Sequence, residues 1–98
     1  MSDPTVKLME KRIGTALIVI EDNRDVSRLN QILSNSSAII IGRQGIPFRE
    51  RDISIISLVL EGTTDEIGAL TGRIGRLSGI EIKSVLIKNK DKNHETNL

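Results

Sequence analysis

"ISIISLVLEGTTDEIGALTGRIGRLSGIEIKSVLIK", Ile53 to Lys88, changes its periodicity twice, and those two changes decide the fold. Its opening, "ISIISLVLEG" (Ile53 to Gly62), is short, β-branched and apolar on both alternating sets, the pattern of a strand covered on both faces. From Thr63 the spacing turns helical, with Ile67, Leu70, Ile74 and Leu77 recurring at intervals of 3, 4 and 3. Thr63 and Glu66 form a capping-box pair at the start of that helix. Arg73 and Arg76 occupy its last turns, where the helix dipole favours cations, and Gly79 suits a left-handed cap. "IEIKSVLIK" (Ile80 to Lys88) returns to strand character, with Glu81, Lys83, Ser84 and Lys88 making it polar enough for a sheet edge.

The first half echoes the second. "IGTALIVIE" (Ile13 to Glu21) is another doubly apolar strand. In "DNRDVSRLNQILSNSS" (Asp22 to Ser37), Val26, Leu29, Ile32 and Leu33 share a helical face, with Asp22 or Asn23 expected to cap the first turn. "AIIIGRQGIPF" (Ala38 to Phe48) is a strand interrupted by Gly42, Gly45 and Pro47. Proline cannot donate to a ladder and glycine marks a bulge or bend, so this too is an edge. The order β-α-β-β-α-β defines an α+β, ferredoxin-like two-layer sandwich: a four-stranded antiparallel sheet with both helices on one face. Strands one and three are expected to be central and to run parallel to each other. The domain spans residues 11–88, between flexible segments at 1–10 and 89–98.

Fewer than 80 residues make a marginal core, so disulfides, a metal or partners are expected to supplement it. The chain has no cysteine and one histidine, His94, which removes disulfides, thiolate sites and imidazole clusters and leaves partners. A metal site built from carboxylates alone has no ligand loop to support it, and no cofactor is implied. Fourteen basic and 13 acidic side chains are interspersed, without the clustered basic excess of a polyanion-binding surface. No apolar run approaches a membrane span and no signal peptide opens the chain, so a cytoplasmic location is expected.

Both helices of this fold lie on one side of the sheet, and the other side of a monomer should be polar. Strand one offers Ile13, Leu17 and Val19 on one parity and Ala16, Ile18 and Ile20 on the other. Strand three offers Ile53, Ile55 and Val59, then Ile56, Leu58 and Leu60. Whichever set meets the helices, five or six aliphatic side chains stay open, and a homo-oligomer (dimer or tetramer) is the expected remedy. The interior glycines Gly68, Gly72 and Gly75 of the second helix are expected to permit close approach of the sheet or a second protomer.

Catalytic constellations are absent from the sequence pattern: no Cys–His or Ser–His pair forms around a single tail histidine, and Glu21–Asp22 and Asp65–Glu66 suit capping. The chain is read as non-enzymatic. A sheet reader of RNA presents stacking aromatics, and only Phe48 is available here, so direct nucleic-acid binding is disfavoured. Arg43, Gln44 and Arg49 in "GRQGIPFRERD" (Gly42 to Asp52) have two readings. Charges on an edge strand guard against edge-to-edge pairing. Alternatively, Arg43 grips a small anionic effector in a pocket at a protomer boundary, with Gly42 and Gly45 admitting it to backbone N–H groups.

The segments "KRIGTALIVIEDNRDV", "IIIGRQGIPFRE" and Ile53 to Lys88 resemble the small regulators of the iron-only hydrogenase system, which are ACT-like, ferredoxin-fold proteins. The most specific pieces are R-x-G-x-P-x-R-E (Arg43 to Glu50) and D-E-I-G-A-L-x-G-x-I-G (Asp65 to Gly75). The resemblance implies an oligomeric regulatory domain. Effector-binding ACT domains carry D-x-P-G-x-L after strand one. Here "DNRDV" (Asp22 to Val26) lacks that Pro and Gly, which weakens amino-acid sensing but leaves Asp22 and Asn23 as candidate loop contacts. Nickel-responsive repressors use a similar domain with His and Cys ligands and a DNA-binding arm, none of which occurs here. The expected function is an effector-binding regulatory module acting as a homo-oligomer, with a ligand-free protein adaptor or a direct nucleic-acid binder as the alternatives.

Overall fold

The computed structural model describes residues 10–88, so the expectations for residues 1–9 and 89–98 lie outside the described residues. Strand β1 (Arg12–Ile20), helix α1 (Val26–Asn35), β2 (Ile40–Phe48), β3 (Ile53–Gly62), α2 (Thr64–Gly75) and β4 (Ile80–Leu86) follow one another in the expected order. The sheet order is β2-β3-β1-β4, which puts the two doubly aliphatic strands in the middle and the two interrupted or polar ones at the edges.

All strand pairs are antiparallel, β1 with β3 included, so the expectation that those two run parallel is corrected. The reason is topological. A crossover through α1 returns β2 in the direction of β1, one strand away. The hairpin from β2 then reverses the chain and inserts β3 into the gap, antiparallel to both neighbours.

Pairing fixes which aliphatic set is buried. Ala16, Ile18 and Ile20 of β1, with Ile56, Leu58 and Leu60 of β3, meet Leu29 and Leu33 of α1 and Ile67, Leu70 and Ile74 of α2. No polar or charged side chain is buried among the described residues.

The capping box of α2 forms as its sequence requires: Glu66 N–H donates to Thr63 Oγ1 at 3.1 Å, and Thr63 N–H donates to Glu66 Oε1 at 2.8 Å. The expected cap of α1 does not form. Its N-cap position is Asp25, with no side-chain cap bond. The carboxylate of Asp22 instead accepts from the Arg24 backbone N–H at 2.7 Å and from its guanidinium at 3.0 Å. Asp25 accepts from the Ser78 N–H at 2.8 Å, and Glu21 N–H donates to the Gly79 carbonyl at 2.8 Å. The acidic loop after β1 thus fastens the turn before β4. The carboxylate at the N-cap position, Asp25, is spent on that junction, and that of Asp22 on Arg24.

Gly79 adopts the expected left-handed conformation, φ +72°, but in the turn before β4 and not as the helix cap, a place taken by Arg76 in a right-handed conformation; a Cβ at Gly79 would collide with the Cβ of Asp22. The glycines inside α2 behave differently. An added Cβ at Gly68 or Gly72 meets nothing within 4 Å, and at Gly75 it reaches only Ile82 Cγ2 at 3.9 Å. Close approach of the sheet is therefore not their explanation within this chain. Urea unfolding should separate the two cases. Gly79→Ala is expected to lose about 2 kcal/mol or more, from left-handed strain plus the clash. Gly72→Ala is expected to gain about 0.5–1 kcal/mol from helix propensity alone.

Candidate functional site

One irregularity in β2 determines what the sheet presents. Ile40 pairs with Leu60, yet Gly42 pairs with Val59, so Ile41 is an extra residue in the ladder. Side chains alternate along a strand, and one inserted residue transfers everything beyond it to the opposite face. Beyond the bulge Gln44, Ile46 and Phe48 share the parity of Ser57, Ile55 and Ile53, on the side of the sheet without helices. Arg43, Gly45 and Pro47 share the parity of Leu58, Ile56 and Ser54, on the helix side.

The helix-free face is consequently rich in aliphatic side chains, although the row through Leu17 also carries Gln44, Ser57 and Lys83. Ile13, Leu17 and Val19 come from β1, Ile53, Ile55 and Val59 from β3, Ile46 and Phe48 from β2, and Val85 from β4. Leu17 and Val59, in the middle of the sheet, remain 48% and 45% exposed, and Val85 65%. Thr15 lies in the same central region, and its hydroxyl donates to the Leu58 carbonyl at 2.8 Å. Its polar atom is thereby satisfied within the sheet. Charge is confined to Glu61 and to Glu81 and Lys83 on the β4 edge.

At the end of the sheet, where β1 leaves and β3 enters, a cavity of about 220 Å³ is lined by Ile20, Glu21, Asn23, Pro47, Arg49, Asp52, Ile53 and Ser54. The β2–β3 connection builds one wall. Arg49–Arg51 form a single 3₁₀ turn closed by Asp52 N–H donating to the Arg49 carbonyl at 3.1 Å, and Asp52 takes φ 55° to reverse the chain. The loop after β1 builds the other wall.

Of the sequence-derived candidates, this pocket brings together Asn23 and Arg49. Asp22, adjacent to Asn23, is held by Arg24 and by its packing against Gly79. Gly42, Arg43, Gln44 and Gly45 do not line it, and an added Cβ at Gly42 or Gly45 meets nothing within 4 Å. Glu21, Pro47, Asp52 and Ser54 line the pocket without having been singled out as binding residues. The signal for them was the hairpin tip, Arg49 to Asp52, which has to fold back beside the β1 exit. Among the described residues no group of three or more metal-ligating side chains stands together, and no helix is long and apolar enough to cross a membrane.

Element order and strand pairing make this a ferredoxin-like α+β domain. More narrowly, the chain belongs to the TM1266-like family, described as "Iron-only hydrogenase system regulator, putative", whose model matches residues 12–84. The solved structure of the uncharacterized protein TM1266 from Thermotoga maritima is 44% identical, with a TM-score of 0.75 over 81% of this chain and 100% of its own. Two remoter structures share the fold alone. An unknown protein from Galdieria sulphuraria is 14% identical, with a TM-score of 0.55 over 84% of this chain and 48% of that one. A formyltetrahydrofolate deformylase from Pseudomonas putida KT2440 is 9% identical, with a TM-score of 0.53 over 74% of this chain and 28% of that one. No curated protein matches.

Proposed function

We propose that this chain is a non-enzymatic regulatory domain of the iron-only hydrogenase system that works as a homo-oligomer and responds to a small effector. The observation that carries the reading is the apolar, helix-free sheet face. A large apolar side chain contributes about 1.5–3 kcal/mol when fully buried. Most of these are half-exposed, so covering Ile13, Leu17, Ile46, Phe48, Val59 and Val85 recovers roughly half of that each. The sum is of the order of the ~4–15 kcal/mol that association costs. A second copy of the same face suits it best. On the two central strands the face is uncharged from Ile13 to Val19 and from Ile53 to Val59, and Glu81 and Lys83 alternate in sign along the β4 edge, so a like face meets no block of like charge.

The effector site in this reading is the end-of-sheet pocket, with Asn23 and Arg49 as its polar contacts. Glu21 and Asp52 stand in the same lining as Arg49, so a small molecule carrying both charges fits better than the bare anion the sequence suggested. Arg43, with Gly42, Gln44 and Gly45, stays with edge protection: β2 is an edge strand, and these residues are open to solvent or nearly so.

Two outcomes follow. Leu17→Lys places a charge at the centre of the face without touching the core, and sedimentation velocity should show the wild-type oligomer replaced by a folded monomer. A wild-type monomer at micromolar concentration would sink the reading. In a melting-temperature screen of free amino acids as zwitterionic probes, a stabilising hit should disappear in Arg49→Ala and persist in Arg43→Ala. The reverse pattern would return the site to the β2 edge.

A further inference from the structure

The helix layer holds a feature that the effector reading does not use. Between α1 and α2 lies a groove of about 360 Å³ lined by Arg28, Gln31, Ile32, Asn35, Arg73, Arg76 and Leu77. Three guanidinium groups therefore border one cavity, and no carboxylate is among its lining residues. Among the described residues none of the three takes part in an ion pair; the pair present is Arg24 with Asp22. Asp25, three residues before Arg28, keeps its charge but is hydrogen-bonded to the Ser78 N–H and pairs with none of the three.

Helix electrostatics do not account for this arrangement. Cations are favoured in the last turn of a helix, which covers Arg73 and Arg76. Arg28 is the third residue of α1, in the first turn, where the dipole disfavours a cation, and that turn contains no acidic residue. A guanidinium at the unfavourable end of its helix, bordering a groove with two more, keeps three like charges together with no ion pair to any of them among the described residues.

We infer that this interhelical groove binds a small organic phosphate, its phosphate held by Arg28, Arg73 and Arg76 and its apolar part resting on Ile32 and Leu77. Arginine matches phosphate oxygens bidentately, and three guanidiniums present more donors than the two oxygens of one carboxylate can accept. The floor is apolar because Ile32 and Leu77 are only partly buried against the core, leaving their outer atoms to the groove. Gln31 and Asn35 add uncharged donors and acceptors that orient the rest of the molecule. The volume falls within the roughly 300–1,000 Å³ of small-molecule sites. The groove lies on the helix layer and shares no lining residue with the end-of-sheet pocket, so this inference stands or falls apart from the proposed function.

Calorimetric titration of the full chain at low salt tests it, with phenyl phosphate, inorganic phosphate and benzoate as probes. Phenyl phosphate should bind more tightly than either of the others, because only it uses both the arginines and the apolar floor. Arg28→Gln and Arg73→Gln should each weaken it about tenfold or more, the loss of one charge-assisted hydrogen-bonding partner. Arg51→Gln, which removes the same charge outside the groove, should leave binding unchanged. All three positions are exposed, and equal melting temperatures will confirm that the variants are folded. Phenyl phosphate binding that ignores Arg28→Gln and Arg73→Gln, or that is no tighter than inorganic phosphate, overturns the inference. So does binding confined to a duplex oligonucleotide and lost in the same two variants, which would make the groove a seat for a nucleic-acid backbone.

Discussion

A sheet whose two central strands are aliphatic on both faces, with helices enough for only one, is the constraint on which the rest of this structure depends. β1 and β3 each supply one set to the helices, Ala16, Ile18 and Ile20 against Ile56, Leu58 and Leu60, and a second set to the opposite side, Ile13, Leu17 and Val19 with Ile53, Ile55 and Val59. Central strands of this character normally lie in sheets covered on both faces. The chain supplies one cover from α1 and α2, and the second face is where the argument for self-association begins.

The edges are arranged around the same constraint. The extra residue Ile41 turns Ile46 and Phe48 onto the open face and removes Arg43 and Pro47 from it. Without the bulge the face would carry a guanidinium and lose its only aromatic ring. Glycines and proline that look like punctuation in the sequence therefore decide the chemistry of a surface, because a one-residue shift exchanges the two sides of a strand. The charges of "GRQGIPFRERD" that drew attention in the sequence divide accordingly: Arg43 on the helix side of an edge strand, Arg49 and Asp52 at the hairpin tip beside the β1 exit.

Element order, central and edge strands, the capping box at Thr63 and Glu66 and the turn at Gly79 were all legible in the sequence, since each rests on local periodicity or local backbone chemistry. What depended on contacts distant in the chain was not. The direction of β3 relative to β1 follows from where the crossover leaves a gap, not from either strand's own composition. Asp22 and Asn23 look like caps of α1, but the N-cap position falls to Asp25, whose carboxylate is claimed by Ser78, 53 residues away, while Asp22 is claimed by Arg24. The candidate site was half visible: Asn23 and Arg49 meet, whereas Glu21, Asp52 and Ser54 join them only through folding of the hairpin. The arginine groove was least visible, because Arg28 and Arg73 belong to different helices and each has an ordinary local explanation.

The central claim is that a second copy of the chain covers the helix-free face. Intermolecular NOE measurement on a mixture of methyl-labelled and unlabelled protein tests it most directly. The account predicts contacts between protomers from the methyl groups of Leu17, Val59 and Val85, and none from Leu29 or Ile74 in the core. An absence of intermolecular contacts at those three residues, or contacts arising only from the helix layer, would contradict it.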